Sequence, residues 1–449
     1  MSKLAQGGSA TSSPVTRAAE APLVLTTEPP RPLGLWSQLA MWGNLGVSLF
    51  GPLTGALVAM TVGSLWGAVG AIIVGCLIGG LLLAGSACFG AVTGAPSMVS
   101  LRGLLGRRAS TVPTALNIFQ NIGWATMEII VIATTAAYIL GPQWRLPFVI
   151  IGGVLATLMA IRPLGTVRLL RKIMIWLVLA CSVYLFVQVL MQPATPIDAS
   201  AASGFWPGVD LAVAGVVSFA PLAADYARHS RTRLAAAGGA GIGYGLAAIG
   251  YYTLGVFAVV HLPGAADGDR LIGALVALPA GGIALAILMI DEVDEAFANI
   301  YSTTMSVQNL VGRADRRVVA VGVGLLAMLL AALLDFGQYQ SFLYLIGSVF
   351  VPLFSVAAAD FFWISRQRWD VSDRAPFRLA PVLAWACGFV AYQLIYPGDV
   401  PGWSALWTSV RDAIGFTAPS WLGSSVGAIV VSIGAMVILG SLSRALARR

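Results

Sequence analysis

Charge is scarce in this chain. Of its 449 residues only 10% are Asp, Glu, Lys or Arg, while 58% are hydrophobic; a soluble domain carries about 25% charged residues. Histidine is nearly missing: His229 and His261 stand far apart at the ends of apolar runs. The four cysteines, Cys76, Cys88, Cys181 and Cys387, lie singly within apolar runs and show no C-x-x-C spacing. A zinc site and a disulfide framework are therefore not expected. No G-x-x-x-x-G-K loop offers a phosphate cradle. The N-terminal stretch 1–32 lacks a continuous apolar segment, which argues against a signal peptide. Rich in Ala, Ser, Thr and Pro, it reads as a disordered cytoplasmic tail.

What the chain has in abundance is apolar runs of about 20 residues, the length that crosses a bilayer as a helix. Twelve such spans are expected, at roughly 35–60, 64–92, 113–139, 146–162, 168–192, 209–228, 238–262, 279–308, 317–335, 339–364, 378–396 and 422–443. Many of the 51 glycines fall inside them, as suits helices that approach closely in lipid. Only Arg145, Arg270 and Arg411 fall in alternate connections, and the other 23 of 26 basic residues lie on one side. The positive-inside rule makes that side cytoplasmic, with both termini there. The distribution also accounts for the net charge of +7 without a nucleic-acid partner. The expectation is an all-α, multi-pass protein of the plasma or inner membrane, its only macroscopic partner the lipid bilayer, and a monomer.

The densest polar feature is DEVDEAFANIYS, residues 291–302. On a helix Asp291, Asp294, Glu295, Ala298, Asn299 and Ser302 share one face, and Glu292 lies about 100° round from Asp291. Each carboxylate would cost about 2.5–3.5 kcal/mol at a lipid-facing helix centre. The stretch therefore demands a protein-lined or watery cavity or a bound cation, unless it is a solvated helix end or loop.

Two spans carry breaks. Gly51–Pro52 interrupts the first and frees backbone around Ser48 to Phe50; Pro221 interrupts the sixth beside Ser218 and Phe219. Each alone reads as a proline kink. Paired breaks at corresponding places in two halves point to a transporter site near the bilayer midplane. In the third span Gln120, Trp124 and Glu128 recur at four-residue spacing, with Asn121 beside them. An indole, amides and a carboxylate on one stripe suit a flat polar heteroaromatic ligand; the bland alternative is a Trp packed between helices. Asp225 and Asp360 end the sixth and tenth spans near Arg228 and Arg366 and read as ion-paired helix ends or gate elements.

On these residues the chain resembles the nucleobase–cation symporter-1 family, the permeases for cytosine, purines, uracil, thiamine precursors, allantoin and hydantoins. The resemblance rests on LTGAL at 53–57, QNIGW at 120–124, SFAPLAADYAR at 218–228, FANIYS at 297–302 and VPLFSVAAADFF at 351–362; the cytosine and hydroxymethylpyrimidine branches look nearest. It implies a five-plus-five inverted repeat (a LeuT-like core) and two trailing helices. The core would span 33–366, with repeats at about 35–192 and 209–364, and 367–449 would hold the added helices. It further implies a ring stacked between Trp124 and a helix 6 aromatic, either Phe219 or the position of Val216, with an amide at Gln120 or Asn121 and another at Asn299. Ser218 joins this substrate set. The family's sodium site maps onto backbone at Ser48 and Phe50 and onto Asp294 and Glu295, which stand where hydroxyls are usual. Carboxylates there could hold Na+ or carry a proton.

These readings combine into a secondary active importer of a nucleobase-like heterocycle, coupled to Na+ or H+ by alternating access. It is expected to be no enzyme and to need no cofactor beyond the coupling ion. Three other readings stand beside it: a same-fold transporter of a cationic amine or amino acid, a membrane-embedded metal-dependent enzyme, and a transport-dead sensor.

Overall fold

The computed structural model describes residues 29–161, 167–200 and 202–447. It is helical throughout. Most of the expected tail, residues 1–28, lies outside the described residues, as does 162–166 in the connection between the fourth and fifth spans. The end of that tail is held rather than free. Leu33 N–H donates to His229 O and Leu33 O accepts from Arg231 N–H, while Arg31 donates to Ala91 O at 2.7 Å. Burial pushes the His229 imidazole below its usual pKa, so at neutral pH the ring is uncharged and its Nδ1 bonds Pro30 O.

The helices in order are α1 (Leu35–Leu45), α2 (Phe50–Val62), α3 (Leu65–Thr93), α4 (Ser97–Leu105), α5 (Thr111–Leu140), α6 (Arg145–Ile161), α7 (Val167–Leu190), α8 (Phe205–Val217), α9 (Ala220–Ala227), α10 (Arg233–Gly238), α11 (Gly245–His261), α12 (Gly268–Val276), α13 (Gly281–Leu310), α14 (Arg316–Leu333), α15 (Tyr339–Ala359), α16 (Leu379–Ile395), α17 (Trp403–Ala413) and α18 (Ser424–Ala447). Among the described residues eight helices, some of them joined, are long and apolar enough to cross a membrane, and the bent pair α1–α2 makes nine. Trp176–Leu190 of α7 and α16 are shorter apolar helices. Helix α13 has 30 residues, but its acidic middle lowers its apolarity.

The first span is broken and the sixth is interrupted for two residues without a sharp bend, and in both the proline sits just inside the second half. Helices α1 and α2 meet at 64°, with the break at residues 46–49, ahead of Gly51–Pro52. Pro52 falls in the first turn of α2, where a missing N–H removes no helical bond. Pro221 likewise opens α9, and the break is at Ser218 and Phe219. Pro381 also lies in the first turn of α16.

Helices α5 and α13 form the most extensive pair. Helices α2 and α11 meet where backbone touches backbone. A Cβ on Gly55 would lie 1.8 Å from the Tyr252 carbonyl oxygen, and one on Gly255 would lie 2.0 Å from that of Pro52. Small residues at such crossings are what draw helices together in lipid. Helices α16 and α18 pack on each other and on α15. The first turn of α18 is capped by Asp210 of α8, which accepts from Ser424 N–H and Ser425 N–H at 2.8 Å each.

On the arginine-rich side, Asp225 accepts from Ser97 N–H at 2.8 Å and so caps α4. Asp360 pairs with Arg378 rather than with the expected Arg366: the guanidinium forks onto both carboxylate oxygens at 2.6 and 2.9 Å. A π-helical turn at Asp360–Ile364 carries the carboxylate back toward the segment that precedes α16. Trp369 and Ser365 also donate to it.

Candidate functional site

The α5–α13 pair is zipped by side-chain amides on its arginine-rich half. Asn117 donates to Ser306 at 2.8 Å and Asn309 donates to Thr114 at 2.9 Å. Further along, the same interface turns acidic. Carboxylate oxygens of Glu128 on α5 and of Glu292 and Glu295 on α13 lie within 4.8 Å of one another, all three residues buried. Glu292 and Glu295 are three apart, so both side chains leave one face of α13. The buried face is therefore turned toward Glu292, Glu295, Asn299 and Ser302. Asp294 lies about 100° round from Glu295 and is only half-buried. Three carboxylates this close repel strongly unless cations or protons offset their charge.

The acidic face of α13 also holds the elbow of the first span. Leu49 N–H donates to Glu292 Oε1 at 2.6 Å and Ser48 Oγ–H to Glu292 Oε2 at 3.2 Å. Asn44 donates to Asp291 Oδ1 at 3.1 Å. A helix start leaves N–H groups without partners and favours negative charge. Glu292 meets that need for α2 from across the interface. At this point the break presents donors to α13, where a cation would require its carbonyls.

Aromatic rings wall the space between. Phe50 stands edge-on to Trp124 at 5.7 Å and tilted against Tyr339 at 5.0 Å; Trp124 and Tyr339 are 6.0 Å apart. Phe219 leans on Tyr244 at 4.7 Å. The Tyr339 hydroxyl bonds Thr54 Oγ1 at 2.7 Å. Among these groups lies a small central cavity of about 20 Å³ lined by Trp124, Glu128, Phe219, Tyr244, Glu295 and Tyr339, among others. That is room for about one water. A larger cavity of about 300 Å³, also touching Tyr339, lies between Leu53 of α2, Asp267 before α12, and Asp335, Phe336 and Gln340 at the start of α15.

Six of the residues named from sequence converge here: Ser48, Phe50, Trp124, Ser218, Phe219 and Glu295 line the central cavity. Val216, the other candidate on the sixth span, is fully buried and packs toward Gly79 of α3, so Phe219 is the aromatic of that span at the cavity. Gln120 and Asn121 sit behind it. Gln120 Nε2 donates to Ser218 O at 3.0 Å and to Asn117 Oδ1 at 3.2 Å, bracing the second break. Asn121 is fully buried. Asn299 donates back along its own helix to Glu295 O at 3.1 Å. Asp294 does not line the cavity. Sequence reasoning placed Glu128 on the ligand-facing stripe and Glu292 at the edge of the acidic face without assigning either a specific role, and it passed over Tyr244, Tyr252 and Tyr339. A carboxylate two turns from an indole on one face was the signal available for Glu128.

A broken first span and an interrupted sixth, closing on a buried, ring-walled, acidic cavity, describe a helical membrane transporter of the LeuT-like fold. Solved structures similar to this one share that fold. Mhp1, a nucleobase-cation-symport-1 family transporter, in a closed conformation with bromovinylhydantoin bound, aligns with TM-score 0.70 at 16% identity, over 95% of this chain and 97% of that one. Inward-facing Mhp1 aligns with TM-score 0.66 at 15% identity, over 92% of each chain. A Na+-coupled sialic acid symporter aligns with TM-score 0.53 at 12% identity, over 92% of this chain and 96% of that one. A search of curated proteins found no match. The profile of the permeases for cytosine/purines, uracil, thiamine and allantoin matches residues 27–391. The chain belongs to that permease family.

Proposed function

We propose that the protein is a secondary active importer of a nucleobase-like heterocycle, driven by Na+ or H+ and working by alternating access. The observation that carries this reading is the convergence of Trp124, Phe219 and the acidic face of α13 on one cavity between a broken first span and an interrupted sixth. Trp124 and Phe219 supply ring surface. Gln120 braces the second break, and Gln120, Asn121 and Asn299 come within reach of substrate as the cavity opens. Glu295, with Asp294 on its flank and Ser48 and Phe50 at the first break, couples the ion. A cation or proton offsetting the clustered charge and a ring seated against the same helices each favour the same arrangement, so each tightens the other's binding.

The architecture that goes with this reading is twelve crossings with both termini in the cytoplasm. Residues 33–366 form the core, with repeats at about 35–192 and 209–364, and 367–449 carry the two added helices. The test is uptake of labelled cytosine, uracil, adenine, hypoxanthine and hydroxymethylpyrimidine into proteoliposomes under imposed Na+ or pH gradients. Accumulation of at least one ring under one gradient is expected. No accumulation of any of them under either gradient sinks the reading.

A further inference from the structure

The polar groups that face the central cavity are not the ones that a neutral ring would call for. The amides of Gln120, Asn121 and Asn299 do not line it, whereas the carboxylates of Glu128 and Glu295 do. Glu128 Oε2 and Glu295 Oε1 are buried and accept from no N–H or hydroxyl group; within the carboxyl cluster they face each other and Glu292. Both are acceptors. An independent group points the same way: the Trp124 side chain lines this cavity too, and its indole N–H is buried without an acceptor. Trp124 is 6% exposed. The cavity therefore offers two carboxylates, the Trp124 N–H as a free donor, the tyrosines Tyr244, Tyr252 and Tyr339 on its wall, and a surround of aromatic faces.

We propose that Glu128 and Glu295 read the ring's polar edge, and that the site selects an N-heterocycle carrying an amidine edge over its oxo-substituted counterpart. This rests on the importer reading above and names the substrate class within it. An amidine edge consists of an exocyclic amine next to a ring nitrogen. In its protonated form it presents two parallel N–H donors, the fork that a carboxylate accepts at both oxygens. Its positive charge is offset by the clustered carboxylates and attracted by the faces of Trp124, Phe219 and Tyr244. The oxo counterpart puts a carbonyl oxygen where the amidine has its amine: one beside the N–H in hypoxanthine, two around a single N–H in uracil. Against Glu128 and Glu295 those oxygens meet acceptors, and buried acceptors facing acceptors are costly. The Trp124 N–H is left to bond one acceptor elsewhere on the ring. Glu292 is not part of this reader, because both its oxygens are taken by Leu49 and Ser48.

The experiment measures binding to the purified full-length protein, with rings chosen as matched pairs: cytosine against uracil, and adenine against hypoxanthine. A ringless amidinium, acetamidine, serves as the third probe. The amino member of each pair is expected to bind about tenfold tighter or more than its oxo partner. Glu128→Gln and Glu295→Gln, each checked by thermal melting, are expected to shrink that ratio toward one. Equal binding within the pairs, or tighter binding of uracil and hypoxanthine by the wild-type protein, overturns the proposal whatever the variants do. An undiminished ratio in two folded variants overturns it as well. Binding of acetamidine with no ring bound would support the carboxylate pair as a reader of amidinium edges and sink the nucleobase reading instead. No binding of any probe overturns both.

Discussion

At the scale of single residues, Glu292 and Trp124 make opposite demands on the chain. Glu292 is a structural acceptor whose loss leaves Leu49 N–H and Ser48 Oγ–H at the elbow without their partner. Glu292→Ala is expected to lower stability by about 1–3 kcal/mol, the cost of a buried donor left unpaired, read as a lower melting temperature in detergent. Glu292→Gln, which keeps one acceptor oxygen, should lose less. Trp124→Phe, which keeps a buried ring but loses the indole N–H, is expected to leave melting nearly unchanged and to weaken ring binding about tenfold, measured by titration, whereas Trp124→Ala empties a packed site and should lower stability by about 3–5 kcal/mol. Glu295→Gln should abolish concentrative uptake, and Asp294→Asn should reduce it less, because Asp294 stands outside the three-carboxylate group; accumulation assays compare the two. Trp124 and Glu295 were legible in sequence because each is out of place in an apolar run. The part played by Glu292 was not, since its partner lies 243 positions away and its own spacing put it at the margin of the acidic face. Tyr339 and Tyr244 were invisible for another reason: a tyrosine at or near a span end is an ordinary interfacial residue.

Among the helices, the informative feature is where the breaks fall. Sequence placed the first at Gly51–Pro52, and the chain bends ahead of it, since proline is better tolerated opening a helix than inside one. The short helices α4, α12 and α17 read as connections because each is below the length of a span. The π-helical turns leave no periodic trace, so the swing that brings Asp360 to Arg378 could not be foreseen. Removing that guanidinium strands a fully buried carboxylate, and Arg378→Ala is expected to destabilise by about 3 kcal/mol, read by thermal denaturation. The α2–α11 crossing gives a second check. Gly55→Ala drives a methyl into the Tyr252 carbonyl and should cost about 1–3 kcal/mol, lowering the yield of folded protein by size-exclusion chromatography. Gly250→Ala, a position with open space around its Cβ, is the matched control.

For the whole molecule, the alternation of arginine-rich connections is a prediction in itself. Reporter fusions at the two termini and in the connections holding Arg102, Arg231, Arg316 and Arg374 should report the cytoplasm, and those near Arg145, Arg270 and Arg411 the opposite side. A reversed pattern at any connection would break the proposed count of crossings. The helical membrane architecture was legible at this scale because it depends on run length and charge side, which are properties of sequence alone. How the runs assemble was not, because the closing contacts are made by backbone atoms and by side chains hundreds of positions apart. The narrow void at the centre has a kinetic consequence. Space for a lone water admits no planar solute, so capture has to wait until Phe50, Trp124 and Tyr339 draw apart. In rapid mixing, the rate of association should therefore level off as solute concentration rises, at a ceiling set by that internal parting rather than by diffusion.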